Sequence, residues 1–157
     1  MQRVDRKGEP RLERLLRLTE RARTQLDCVR ASLASVDKNS AVSSLGSTFT
    51  DSEKGALFFQ LERLSWSIIS MAELLVFELR LTPGSFQKPG QLIDVLVREA
   101  GLPLGDGRRV KQLLEYRLLS QRDPDGLRVD GILDADSLRD AAEVFEIFAD
   151  FSRKTLP

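Results

Sequence analysis

Between residues 10 and 36 apolar side chains return at steps of three and four: Leu12, Leu15, Ala22, Leu26, Val29, Leu33 and Val36, with polar Thr19 interrupting the series. This heptad-like spacing, with Arg and Glu on the other positions, predicts a long amphipathic helix. Its stripe either pairs antiparallel with another helix of the same domain or forms part of a dimer seam. Residues 37–52, rich in Ser, Asn, Gly and Thr, predict a loop with a mobile tip. Thr50-Asp51-Ser52-Glu53 then has the capping-box form, a hydroxyl at the N-cap and a glutamate three residues later, and opens a second helix.

That helix, 52–80, is the most apolar part of the chain, from Leu57, Phe58, Phe59, Leu61 and Leu64 through Trp66, Ile68, Ile69 and Met71 to Leu74, Leu75, Val76 and Phe77. Apolar groups fall on nearly every face. Such a helix is central, or is covered on one side by its own domain and on the other by a partner. Leu81-Thr82-Pro83-Gly84 predicts its end, because proline cannot continue the ladder. A short helix follows from Pro89 to Ala100, with Leu92, Ile93, Leu96 and Val97 inward and Gly101 at the C-cap. Gly105-Asp106-Gly107 predicts another break, before a fourth helix over 108–121 with Val110, Leu113, Leu114 and Leu118 on its core side. Asp123-Pro124-Asp125-Gly126 is a turn by composition. Asp134 or Asp136 caps a last helix to about Phe151, its buried stripe being Leu138, Ala141, Phe145 and Phe148. Only Leu127-Arg128-Val129 is a candidate for a short extended piece. The expected fold is all-α, an up-and-down bundle of about five helices. A flexible N-terminus, 1–9, precedes one helical domain, 10–157.

Composition narrows the function more than the fold. A length of 157 residues fits one domain with a real core. Lys and Arg number 24 against 24 Asp and Glu, so there is none of the basic surplus of a protein that coats nucleic acid, although a local basic patch stays open. Cys28 is the single cysteine and cannot form an internal disulfide, which suits a reducing, cytoplasmic location. Residues 1–10 are too polar for a signal peptide. The apolar stretch from Leu64 to Leu79 carries Glu73 and Glu78 and is shorter than the ~20 residues of a membrane span. The chain has no histidine. Zinc, haem and histidine-based catalysis are therefore not expected, nor is any cofactor, while carboxylate-bound magnesium or calcium stays open. Asp123, Asp125 and Asp130 near Gly126 do not keep EF-hand spacing, Gly105-Asp106-Gly107 lacks the Lys-Ser/Thr of a phosphate loop, and serine–aspartate pairs have no base for a hydrolase triad. Cys28, beside Val29 on the first helix, is expected to be packed rather than reactive.

Several landmarks occur in order. The apolar helix closes in Phe77-Glu78-Leu79-Arg80-Leu81-Thr82-Pro83-Gly84-Ser85, the short helix in Arg98-Glu99-Ala100-Gly101-Leu102-Pro103, and the next helix carries Leu113-Leu114-Glu115-Tyr116-Arg117-Leu118-Leu119. Over roughly residues 52–151 this resembles the HEPN superfamily, and within it the HepT-like toxins of bacterial toxin–antitoxin pairs. The resemblance implies a homodimer in which an arginine, usually followed by asparagine, and a histidine five residues on from the arginine cleave RNA without a metal at the subunit interface. Carried over, Arg117 matches the arginine. Leu118 stands where asparagine is usual, Arg122 where the histidine belongs, and Pro124 where many members have a tyrosine modified by the partner nucleotidyltransferase. Arginine, with a pKa of roughly 12 or above, cannot shuttle protons at neutral pH.

The expectation is therefore a non-catalytic or altered HEPN-type module in a defence, toxin–antitoxin or RNA-handling setting. It would bind RNA phosphate through Arg117 and Arg122, beside Tyr116 and Glu115, or bind a cognate protein such as a nucleotidyltransferase-like antitoxin. Arg117 as a solvated or salt-bridged helix residue is the plain alternative. Leu26, Val29, Phe59, Trp66 and Phe77 are the candidate dimer contacts, with Phe58 also an aromatic that could mark an interface. Other readings are a protein scaffold with no nucleic-acid role and a ribonuclease using Tyr116 and Glu115. Residues 105–150, through Gly105-Asp106-Gly107 and Val129-Asp130-Gly131-Ile132, also resemble a small peptidoglycan-binding module.

Overall fold

The apolar helix is the hub. In the computed structural model, which describes residues 10–37, 51–81, 88–118 and 135–156, five α-helices are present: α1 (Arg11–Asp37), α2 (Asp51–Glu78), α3 (Gly90–Ala100), α4 (Leu104–Leu114) and α5 (Ala135–Thr155). A 3-10 turn, Glu115–Leu118, follows α4 directly. No strand occurs among the described residues. Every other element packs on α2, as its apolar side chains on many faces require. Leu61, Leu64, Ile68, Met71, Ala72 and Leu75 are fully buried.

α1 lies antiparallel along α2. Arg11 pairs with Glu78 at 2.7 Å near one end, and the Ser67 hydroxyl donates to Gln25 Oε1 at 3.0 Å further along, so the α2 partner falls in number as α1 rises. The α1 stripe thus takes the first of its two alternatives. Leu15, Ala22, Leu26 and Val29 are buried against the chain's own core. Thr19 interrupts the stripe without cost, because its hydroxyl donates to Leu15 O at 2.8 Å. Burying such a side chain stabilises by about 1.5–3 kcal/mol, against about 0–1 kcal/mol for an exposed ion pair. The apolar seam therefore holds α1 on α2, and the polar pairs set its register.

α5 packs against α1 and α4 and also touches α2. Arg23 makes a two-pronged pair with Glu146, Nε to Oε1 and Nη2 to Oε2, each at 3.0 Å. Ala141, Phe145 and Phe148 face the core, and the helix runs to Thr155, a turn past its expected end. α3 and α4 form an antiparallel pair clipped by Lys111 and Asp94 at 2.9 Å.

Three sequence expectations are corrected. Gly105-Asp106-Gly107 does not break the chain but forms the first turns of α4, which starts at Leu104 after Pro103. Gly107 is needed for close packing: a Cβ there would stand 2.5 Å from a Val97 methyl on α3. The fourth helix also ends early, at Leu114. Finally, α2 stops at Glu78 ahead of the proline. Arg80 takes a left-handed conformation, φ 53°, and Leu81 N–H returns to Val76 O at 3.0 Å, so the backbone itself turns the chain. The capping residue Thr50, most of the 37–52 loop, the 123–126 turn and Leu127–Val129 lie outside the described residues.

Candidate functional site

The family-motif positions come first. Glu115, Tyr116 and Arg117 sit on the 3-10 turn after α4, where successive side chains point in three different directions. Glu115 is exposed, Tyr116 is half-buried against the core, and Arg117 is half-buried. Arg117 Nη1 donates to Leu114 O at 2.6 Å. The buried Ser65 hydroxyl, from α2, donates to Leu113 O at 2.8 Å. The end of α4 thus gains two side-chain hydrogen bonds on its carbonyls, and the guanidinium lies where a helix C-terminus favours a cation. Arg122 and Pro124 lie outside the described residues.

Two clefts among the described residues are small, and in the first the charges are paired. One of about 190 Å³ between α1 and α5 has Leu15, Leu16, Thr19 and Ala149 in its walls and the Arg23–Glu146 pair at its rim. Asp150, on the same rim, accepts from Arg153 Nη2 at 2.9 Å and from Lys154 Nζ at 2.8 Å. A second, of about 140 Å³, lies between α1 and α2 and is lined by Leu18, Arg21, Gln25, Arg63, Trp66, Ser67 and Ser70. Both fall below the roughly 300–1,000 Å³ of pockets for small ligands.

Where a pKa is displaced, the charged form gains. Hydrogen bonding to Glu146 raises Arg23, hydrogen bonding to Asp140 raises Arg109, which also reaches Glu143, and hydrogen bonds from Lys154 and then Arg153 lower Asp150. Such shifts fix ion pairs and do not prepare a proton shuttle. Among the described residues no group of three or more His, Cys, Asp or Glu could hold a metal ion, and no helix is long and apolar enough to cross a membrane.

The feature that stands out is apolar and exposed. Phe59, Trp66 and Phe77 are 54%, 55% and 76% exposed. Phe77 lies eighteen residues, five full turns, after Phe59, and Trp66 lies within about 20° of both around the axis. They form one exposed line along α2, with Trp66 also bordering the cleft against α1. Arg63 lies on the same line with its guanidinium 5.3 Å from the Phe59 ring centre. Single exposed apolar residues are ordinary, but three aligned aromatics are not. Phe58, also an interface candidate by sequence, is buried. Leu26 and Val29 are 1% and 0% exposed, so within this chain they present no surface. Cys28, expected to be packed, is exposed, one position off the inward stripe.

No family model matches the chain. Nor does any curated protein or any solved structure match it significantly.

Proposed function

We propose that this chain is a non-catalytic helical binding module, and that what it binds is protein. The observation that carries the reading is the line of Phe59, Trp66 and Phe77 on the open face of α2. Aromatics of this kind dominate protein–protein contacts, and an interface is their ordinary use. The α4 end supports the non-catalytic side: Arg117 is engaged by a backbone carbonyl, and no histidine exists to move a proton.

The helical order is compatible with a degenerate HEPN-type fold of the HepT-like kind, and we keep that reading as a proposal. It brings a homodimer, a cognate partner such as a nucleotidyltransferase-like antitoxin, and a cytoplasmic setting in a bacterial defence or RNA-handling system. A single cysteine, which can form no disulfide within the chain, suits that reducing compartment.

The experiment incubates the full chain with a mixed RNA pool at low and high salt, and in parallel captures proteins from cells of its source. The module reading expects intact RNA, no salt-sensitive RNA binding, and captured protein that is lost in Trp66→Glu. RNA that shortens with time overturns the non-catalytic reading. RNA binding that falls steeply with salt, and falls again in Arg117→Ala, transfers the function to the phosphate-binding reading.

A further inference from the structure

The open face of α2 carries more than its three aromatics. Phe59, Arg63, Trp66, Ser70, Glu73 and Phe77 follow one another at steps of four, three, four, three and four. That is the spacing of a two-stranded coiled-coil seam. Ser70 is half-exposed and the others are exposed, while the opposite faces of α2 are filled by its own bundle.

The stripe is complementary to itself when reversed. Let a second copy lie antiparallel, with a two-fold axis crossing at the level of Ile68. Phe59 then meets Phe77 of the second copy, Arg63 meets its Glu73, and Trp66 meets its Ser70. Symmetry repeats each layer, giving two aromatic pairs, two opposite-charge pairs and two bulky-against-small pairs. A parallel, in-register arrangement would instead set Arg63 on Arg63 and Glu73 on Glu73. Like charges directly opposed disfavour that arrangement, so the sequence of the stripe selects the antiparallel one.

We propose that the Phe59–Phe77 face of α2 docks a second copy of this chain, antiparallel, with Arg63 of each copy paired to Glu73 of the other. This rests on the protein-binding reading above and names the partner. Two further observations favour it. Neither Arg63 nor Glu73 has an ion-pair partner among the described residues, a state they share with Arg14, Arg21 and Asp106, so both charges are available to a second copy. They cannot pair within one chain, since ten residues of helix separate them by about 15 Å. Moreover, Arg63 is already held on the stripe by the Phe59 ring. An isologous contact is the commonest kind in homodimers, and a self-complementary face is its requirement. The stripe is about 27 Å long, too little for a large obligate interface, so the dimer is expected to be weak and concentration-dependent.

The test is sedimentation equilibrium on the full chain between about 1 µM and about 1 mM, the range of a small interface. Trp66 is the only tryptophan, so its emission gives a second reading. The expected result is a doubling of mass, with a blue shift of emission over the same concentrations. Arg63→Glu and Glu73→Arg, both at exposed sites, should each weaken self-association by about tenfold or more. An equimolar mixture of the two variants should recover it, because the mixed pair restores two opposite-charge layers. The double variant R63E/E73R should recover it alone. A monomer throughout the range overturns the proposal. So does a dimer insensitive to both reversals, or a mixture no stronger than its components. A monomer that still binds another protein through Trp66 overturns only the choice of partner and leaves the module reading standing, whereas that reading fails separately if RNA is cut or bound.

Discussion

Arg117 shows how a motif position can be occupied for reasons of stability. Its guanidinium closes the end of α4 on Leu114 O, while Ser65 closes Leu113 O from the facing helix. Arg117→Ala should lower stability by about 1 kcal/mol, read as a shift of the urea midpoint without a change of slope. Arg80 offers the opposite sign. A non-glycine residue in the left-handed region is disfavoured by roughly 1 kcal/mol, so Arg80→Gly should raise the melting temperature. No change of melting temperature, or a fall, would show that the arginine side chain compensates for its backbone. Neither residue's local geometry was readable beforehand. The expected helix ran through Arg117 to residue 121, and nothing in Phe77-Glu78-Leu79-Arg80 marks one position as left-handed when glycine is absent.

Elements were legible where periodicity was strong. α1, α2, α3 and α5 begin and end within a few residues of the bounds read from spacing. Directions within α2 were not legible. A helix with apolar groups on nearly every face has no unique inward side, so Phe58 and Phe59 could not be separated, and Phe59 is the exposed one. The same ambiguity let the α1 stripe pass for a seam, although Leu26 and Val29 are core. Glycine misled at α4 because it serves two purposes, as a breaker and as the only residue small enough for two helices to touch. The second applies at Gly107. Gly107→Ala should destabilise the protein by about 1–3 kcal/mol through overpacking on Val97, measured by denaturant titration. Gly105→Ala, where a Cβ meets nothing within 4 Å, should cost nothing and provides the control.

Across the whole molecule, charge is arranged in cross-links between helices: Arg11 to Glu78, Arg23 to Glu146, Arg109 to Asp140 and Glu143, and Lys111 to Asp94. Each contributes little, being largely exposed. Acid sensitivity is expected from Asp150 alone. The Asp150 carboxyl is held below the usual carboxylate range by hydrogen bonds from Lys154 and then Arg153. Its folded pKa is below its unfolded one, so its stabilisation is full above about pH 4 and is lost as pH falls through the folded value. Thermal midpoints measured from pH 6 down to pH 2 should fall less steeply in Asp150→Asn than in the parent. An identical slope would remove Asp150 from that account.

The antiparallel seating of α5 on α1 has one more consequence, for chain connectivity. Leu15 and Leu16, in the second turn of α1, share a cleft with Arg153, in the last turn of α5. The first and last helices therefore begin and finish side by side, and the bundle is topologically close to a ring. Joining residue 155 to residue 11 with a short flexible segment and opening the backbone between residues 37 and 51 would reorder the helices as α2, α3, α4, α5, α1 while keeping every helix–helix contact. Such a circular permutant should fold to the same helical content, because here stability resides in which faces meet and not in the order of synthesis.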